Sequence, residues 1–149
     1  MISRKSRKPK FKGLPFSIPT KKRGEDRKKL EKECDALWSV MIRLRDKRCQ
    51  FCMKVTEHKK LYAHHIWTRT SRAGRWNDAN GVALCLRCHL HVAHRMYEVF
   101  RRWLILWMGQ DKFDRLMLMC NTRTKITAPE LQLIKADLQR KIDELEGRP

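Results

Sequence analysis

"YAHHIWTRTSRAGRWNDANGVALCLRCH" (residues 62–89) gathers His64, His65 and His89 with two cysteines and four arginines. "KLYAHHIW" carries the apolar and aromatic residues of a strand, and "GVAL" reads as a second short strand. Between them "TRTSRAGRWNDAN" is a polar, arginine-bearing loop. Cys85-x-x-Cys88 closes the stretch, and Cys49-x-x-Cys52 stands 32 residues before it. Two such turns can set four thiolates around one zinc at about 2.3 Å each. Four thiolates leave no open coordination position, so this Zn²⁺ is expected to hold structure. It would clamp the end of one helix to the start of another across a β segment too small to bury a core of its own. Paired cysteines could also mean disulfides in a secreted chain. Behind "MISRKSRKPKFK" there is no apolar run to act as an export signal, which favours reduced thiols and a cytoplasmic location. Cys34 and Cys120 fall on apolar helical faces and read as plain buried thiols.

Outward from this centre the period changes. Leu30, Cys34, Leu37, Trp38, Met41 and Leu44 recur at three- and four-residue steps, which predicts a helix from Glu25 to about Asp46. After Cys85 helical spacing returns, with Val92, Met96, Val99, Phe100, Trp103 and Trp107 on one face up to Gly109. A short helix from Asp111 to about Cys120 follows. "TAPE" then has the form of a capping box, Thr127 bonding toward Glu130 with Pro129 in the first turn. It opens a helix whose stripe is Leu131, Ile134, Leu138, Ile142 and Leu145, expected to pack on the first helix. The expected organisation is a basic arm over 1–24, an N-terminal helix over 25–48, a zinc-stapled core over 49–108 and a helical extension over 109–149. The class is α+β, mainly helical.

The 149 residues carry 35 Lys and Arg against 16 Asp and Glu, a formal charge of +19. Such an excess repels itself and points to a polyanionic partner: DNA, RNA or an acidic membrane. No run can span a bilayer, since "WLILWM" at 103–108 is too short. Nine of the basic residues and no acidic one lie in residues 1–24. That segment suits an arm along phosphates, with a solubilising tail as the plainer alternative.

A structural zinc module needs no further histidine. Surface or helix-capping histidines on a nucleic-acid-binding zinc ribbon are one account of His64, His65 and His89. Their arrangement with Asn80, five residues before Cys85, favours another. "AHHI…NGVALCLRCH" resembles the HNH nuclease motif, a ββα-metal fold in which a β-hairpin and a helix hold one divalent cation. "IRLRDKRCQFC", "RWNDAN" and "MGQDKFDRL…ITAPELQLIKADLQRKIDEL" extend that similarity, over about residues 35–146, to the phage recombination nuclease family NinG, also called Rap. The resemblance implies a structure-selective endonuclease acting on branched DNA such as D-loops and Holliday junctions. It implies His65 as general base, His64 and His89 as ligands of the catalytic metal, and Asn80 as the brace that orients His65. Where that family has Gly-His, this chain has His64-His65, and His89 stands where Asn is usual; both shifts lead toward the histidine-rich, toxin-like HNH version.

On a regular helix five residues turn through about 140°, so His94 is only an outlying candidate ligand, and position 93, on His89's face, is occupied by Ala. His91 is expected to face solvent or DNA. Adjacent strand residues face opposite sides, so His64 and His65 can share a site only where the strand ends or bulges. The expected chemistry is hydrolysis helped by one Mg²⁺ or Mn²⁺, with Ni²⁺ or Zn²⁺ also suited to imidazole ligands. Arg69, Arg72 and Arg75 would grip phosphates beside the cut, or simply form a solvated loop face. A junction resolver makes two cuts, which implies a homodimer. The rival expectations are a non-catalytic zinc module that binds nucleic acid, and an HNH nuclease of low selectivity in packaging or defence.

Overall fold

The apolar stripe centred on Trp38 lies at the middle of the molecule. A computed structural model describes residues 20–148, and in it helix α1 (Thr20–Asp46) packs against both a β-hairpin and the last helix. Residues 1–19 of the expected arm lie outside the described residues. From Thr20 the chain is already helical, so α1 begins ahead of Glu25. Cys34, Trp38, Met41 and Ile42 are buried, with Leu30, Leu37 and Leu44 packed at the edge. Ile42 lies off the anticipated stripe. It is buried because α1 is covered on two sides, which widens the apolar face a helix needs.

One cover is a β-hairpin. Strands β1 (Leu61–His65) and β2 (Gly81–Cys85) pair antiparallel, with Leu61 opposite Cys85, Ala63 opposite Ala83 and His65 opposite Gly81. Val82, Ala83 and Leu84 are all buried, so β2 shows a continuous apolar run instead of alternation. The end of α1 is tied to β2 directly: the Ala83 N–H donates to Asp46 Oδ2, and Arg45 donates to the carbonyls of Asp78 and Gly81.

The other cover is α4 (Ala128–Glu146). Its capping box is formed in both directions between Thr127 and Glu130, with Pro129 in the first turn, and Gly147 closes it in the left-handed conformation. Leu131, Leu138 and Ile142 are buried against α1, whereas Leu145 is 39% exposed. The two helices run in the same direction: Arg27 reaches the Ile126 carbonyl, the Cys34 thiol meets the Leu131 carbonyl, and Arg45 and Lys141 both meet Asp78.

The single helix expected after Cys85 is broken. A π-helical turn spans Cys88–Ala93, the chain bends, and α2 (Tyr97–Met108) follows. The bend changes the buried face, so Phe100 and Leu104 are interior while Met96 and Val99 are exposed. Gly109, at φ 87°, separates α2 from α3 (Gln110–Asn121), which buries Phe113, Leu116 and Cys120. The whole is a mainly helical α+β fold with a two-stranded sheet. Among the described residues no helix is long and apolar enough to cross a membrane.

Candidate functional site

Two clusters of potential metal ligands flank the hairpin. The first joins Cys49, Cys52, Cys85 and Cys88, whose sulfurs all lie within 4.8 Å of one another. All four are free thiols. The first knuckle is shaped by its backbone, with the Cys49 N–H on the Lys54 carbonyl and the Gln50 N–H on the Ala83 carbonyl. Burial pushes the Cys49 and Cys88 thiols up. Burial acts the same way on Cys52, but the Lys54 backbone and the other three thiols outweigh it and bring Cys52 down to about 7. The Cys52 and Cys85 sulfurs are 3.8 Å apart. A tetrahedron with zinc–sulfur bonds of about 2.3 Å has edges of about 3.8 Å, so the spacing fits that ion. The cluster could hold a structural metal such as zinc.

The second cluster is made of imidazoles. His64 of β1, His89 of the π turn and His94 just beyond it each offer a ring nitrogen within 4.8 Å of the others. Ring centroids are 5.3 Å apart for His64–His89, 5.3 Å for His64–His94 and 4.7 Å for His89–His94. His94 therefore joins the cluster as fully as the other two. On an α-helix it would turn away from His89; the i→i+5 bonding of a π turn widens the coil and returns the fifth residue to the same face. Ala93, on that face of a regular helix, is buried instead. Tyr62 stacks on His89 at 5.4 Å, and Phe100 meets His64 edge-on at 5.2 Å.

This cluster is suited to a cation. His89 Nδ1 is, among the described residues, the one buried side-chain nitrogen or oxygen with no hydrogen-bond partner. An orphan of this kind costs about 1–3 kcal/mol unless something binds it. Burial, reinforced by His89, His94 and His65, pushes His64 down to about 3. Burial and His94 also lower His89. The His64 and His89 rings are therefore neutral near pH 7, the form in which an imidazole ligates a metal.

His65 is not in that cluster. Strand alternation sends it to the other side, where its ring stacks on Trp38 at 3.9 Å and 14°. His65 Nε2 lies 2.9 Å from the Arg75 carbonyl oxygen. A carbonyl only accepts, so Nε2 carries the proton and the lone pair resides on Nδ1. Burial lowers His65 below its ordinary value, and the bond to Arg75 opposes that only in part.

Asn80 is fully buried and braces the loop, though it makes no hydrogen bond to His65. Its Oδ1 accepts from the Trp67 N–H at 2.7 Å, and its Nδ2 donates to the Gly74 carbonyl at 2.9 Å. The loop arginines turn toward α1. Arg69 pairs with Asp35, Arg72 with Glu31, and Arg75 with both; Arg75 is only 13% exposed. Any phosphate reaching Arg69 or Arg72 competes with these carboxylates. His91 is exposed, as expected. Asp35 and Trp38, which contact the loop and His65, carry no local signal beyond their places on the helix.

Fold and clusters together define a small, mainly helical α+β protein whose β-hairpin is flanked by a four-cysteine cluster and a separate three-histidine cluster, each of which could hold a metal ion. The model of the family described as bacteriophage lambda NinG protein matches residues 17–147. The chain belongs to the NinG family, which connects it to phage recombination. No curated protein and no solved structure matches it.

Proposed function

We propose that the protein is an HNH-type endonuclease that hydrolyses phosphodiesters in branched DNA, such as D-loops or Holliday junctions, during phage recombination. The observation that carries this reading is the convergence of His64, His89 and His94 next to a neutral His65 whose Nε2 is tied to the backbone. His64 and His65 are the last two residues of β1, and their rings leave the strand on opposite sides, His64 toward His89 and His94 and His65 toward Trp38.

A divalent cation held by His64, His89 and His94 would polarise the phosphodiester and stabilise the leaving oxygen. Three imidazoles favour Mn²⁺, Ni²⁺ or Zn²⁺ over Mg²⁺. His65 Nδ1 takes a proton from water as the water oxygen attacks phosphorus. The bond to the 3′ oxygen breaks, and that oxygen gains a proton from solvent, leaving 5′-phosphate and 3′-hydroxyl ends. As His65 becomes cationic, its Nε2–H bond to the Arg75 carbonyl strengthens. The indole of Trp38 against the ring favours the same charge. The formal charge of +19 draws the polyanion in.

The test is incubation of zinc-loaded protein with a four-way junction, a linear duplex and single strands, with and without Mn²⁺. Junction cleavage that needs the cation is expected. His65→Ala should bind the junction normally and cut it about 10²–10⁴-fold more slowly, the usual contribution of a general base. Full cleavage by His65→Ala refutes the role of that residue. No cleavage of any substrate leaves a DNA-binding zinc module, and equal cleavage of all three removes the structural selectivity.

A further inference from the structure

The loop between β1 and β2 is already held by Asn80 and by Trp38, whose Nε1–H donates to the Asn77 carbonyl at 3.1 Å. On top of this, Asp35 of α1 collects four donors. Arg75 Nε reaches Oδ1 at 2.9 Å and Arg75 Nη2 reaches Oδ2 at 2.7 Å, a two-pronged pair. Trp76 Nε1 donates to Oδ1 at 2.9 Å, and Arg69 Nη2 to Oδ2 at 2.9 Å. The same Arg75 whose guanidinium is fixed this way presents its backbone carbonyl to His65 Nε2. One helical turn beyond Asp35, Trp38 covers the face of the His65 ring.

We propose that Asp35 is a positioning residue for His65: by holding Arg75 it aims the carbonyl that keeps the imidazole proton on Nε2 and the lone pair on Nδ1. The inference rests on the nuclease reading for its catalytic meaning, but the tautomer it assigns is a property of the folded chain. An imidazole on a broad two-fold torsion has no intrinsic preference for one edge. Trp38 restricts the plane of the ring and leaves either nitrogen free to take the inner position. Only an acceptor at a set place distinguishes them. Asn80 secures the neighbouring Gly74 carbonyl, and Asp35, acting through Arg75, secures the one that matters to His65. A helix outside the hairpin thus sets which nitrogen can receive a proton.

The experiment uses the full-length, zinc-loaded protein labelled with ¹⁵N-histidine, as wild type, Asp35→Asn and Asp35→Glu. Long-range ¹H–¹⁵N correlations read the His65 tautomer, and Mn²⁺-dependent junction cleavage gives kcat and KM. Wild type should show the Nε2–H form alone. Asp35→Asn should show both tautomers and lose about 10- to 100-fold in kcat, as loss of a supporting residue typically does, with KM near the wild-type value. Asp35→Glu should recover part of both. Should Asp35→Asn fail to fold, Arg75→Lys keeps the charge but not the two-pronged pair, and the same changes are expected. A variant that keeps a pure Nε2–H form and wild-type kcat while melting at a lower temperature overturns the proposal, because the pair is then only a loop staple. If wild type cuts nothing but the tautomer still shifts in Asp35→Asn, the positioning stands and the nuclease reading falls.

Discussion

Replacing Gly81 by alanine adds a single methyl group at the point where the hairpin meets α1. Gly81 has φ −130° and ψ 143°, ordinary extended backbone that any residue adopts, so its conformation does not demand glycine. Space does. A Cβ there would lie 2.4 Å from Ile42 Cδ1, 2.6 Å from Trp38 Cζ2 and 2.7 Å from Ile42 Cγ1. Carbon atoms settle at about 3.5–4.0 Å, so each contact is short by about 1 Å or more. Ile42 is fully buried and Trp38 is 2% exposed, so neither side chain can swing into solvent. Overpacking of this kind costs about 1–3 kcal/mol. For a chain of this size each kcal/mol moves the melting temperature by about 2–4 °C, giving an expected fall of about 2–12 °C for Gly81→Ala. The same methyl group faces His65 in the strand register, so Trp38 should be displaced from its stack and its fluorescence should change. Thermal melts and tryptophan emission of the zinc-loaded variant read both effects. An unchanged melting temperature with unchanged emission would refute the claim that close approach at Gly81 sets the seat of His65.

Two further predictions concern the imidazole cluster. Burial and the neighbouring histidines hold His64 neutral down to about 3, whereas an unfolded histidine takes a proton near ~6.5. Between those values the unfolded chain binds the extra proton, so His64 makes stability rise with pH across that window and fall on acidification, by up to about 1.4 kcal/mol per pH unit. Urea unfolding of wild type and His64→Leu should show the wild type losing more stability on acidification; parallel curves would contradict the assignment. Because His94 is exposed, His94→Ala should leave the fold intact. It should nevertheless weaken Mn²⁺ or Co²⁺ binding by at least the ~10–100-fold typical of a supporting residue, and unchanged calorimetric affinity would remove His94 from the site.

What could be read along the chain was whatever depends on near neighbours. Two Cys-x-x-Cys turns at their separation implied a thiol cluster, and all four cysteines meet. The Thr127–Glu130 box, the closing Gly109 and the two short strands follow from residues a few positions apart, as do the stripes on α1 and α4. His64 and His89 stood out through their places beside those elements. His94 did not, since helical phase was counted at the regular pitch and nothing in "CHLHVAH" announces a π turn. The Arg75 carbonyl that claims His65, the Asp35 carboxylate that holds Arg75, and the absent side chain at Gly81 that admits Trp38 all join residues far apart in sequence. Spacing therefore pointed to the four clustered cysteines and to most of the helices and strands, though not to every boundary. Only packing of α1 across the hairpin decided which imidazoles face one another and which nitrogen carries a proton, because those depend on contacts to atoms that no local period encodes.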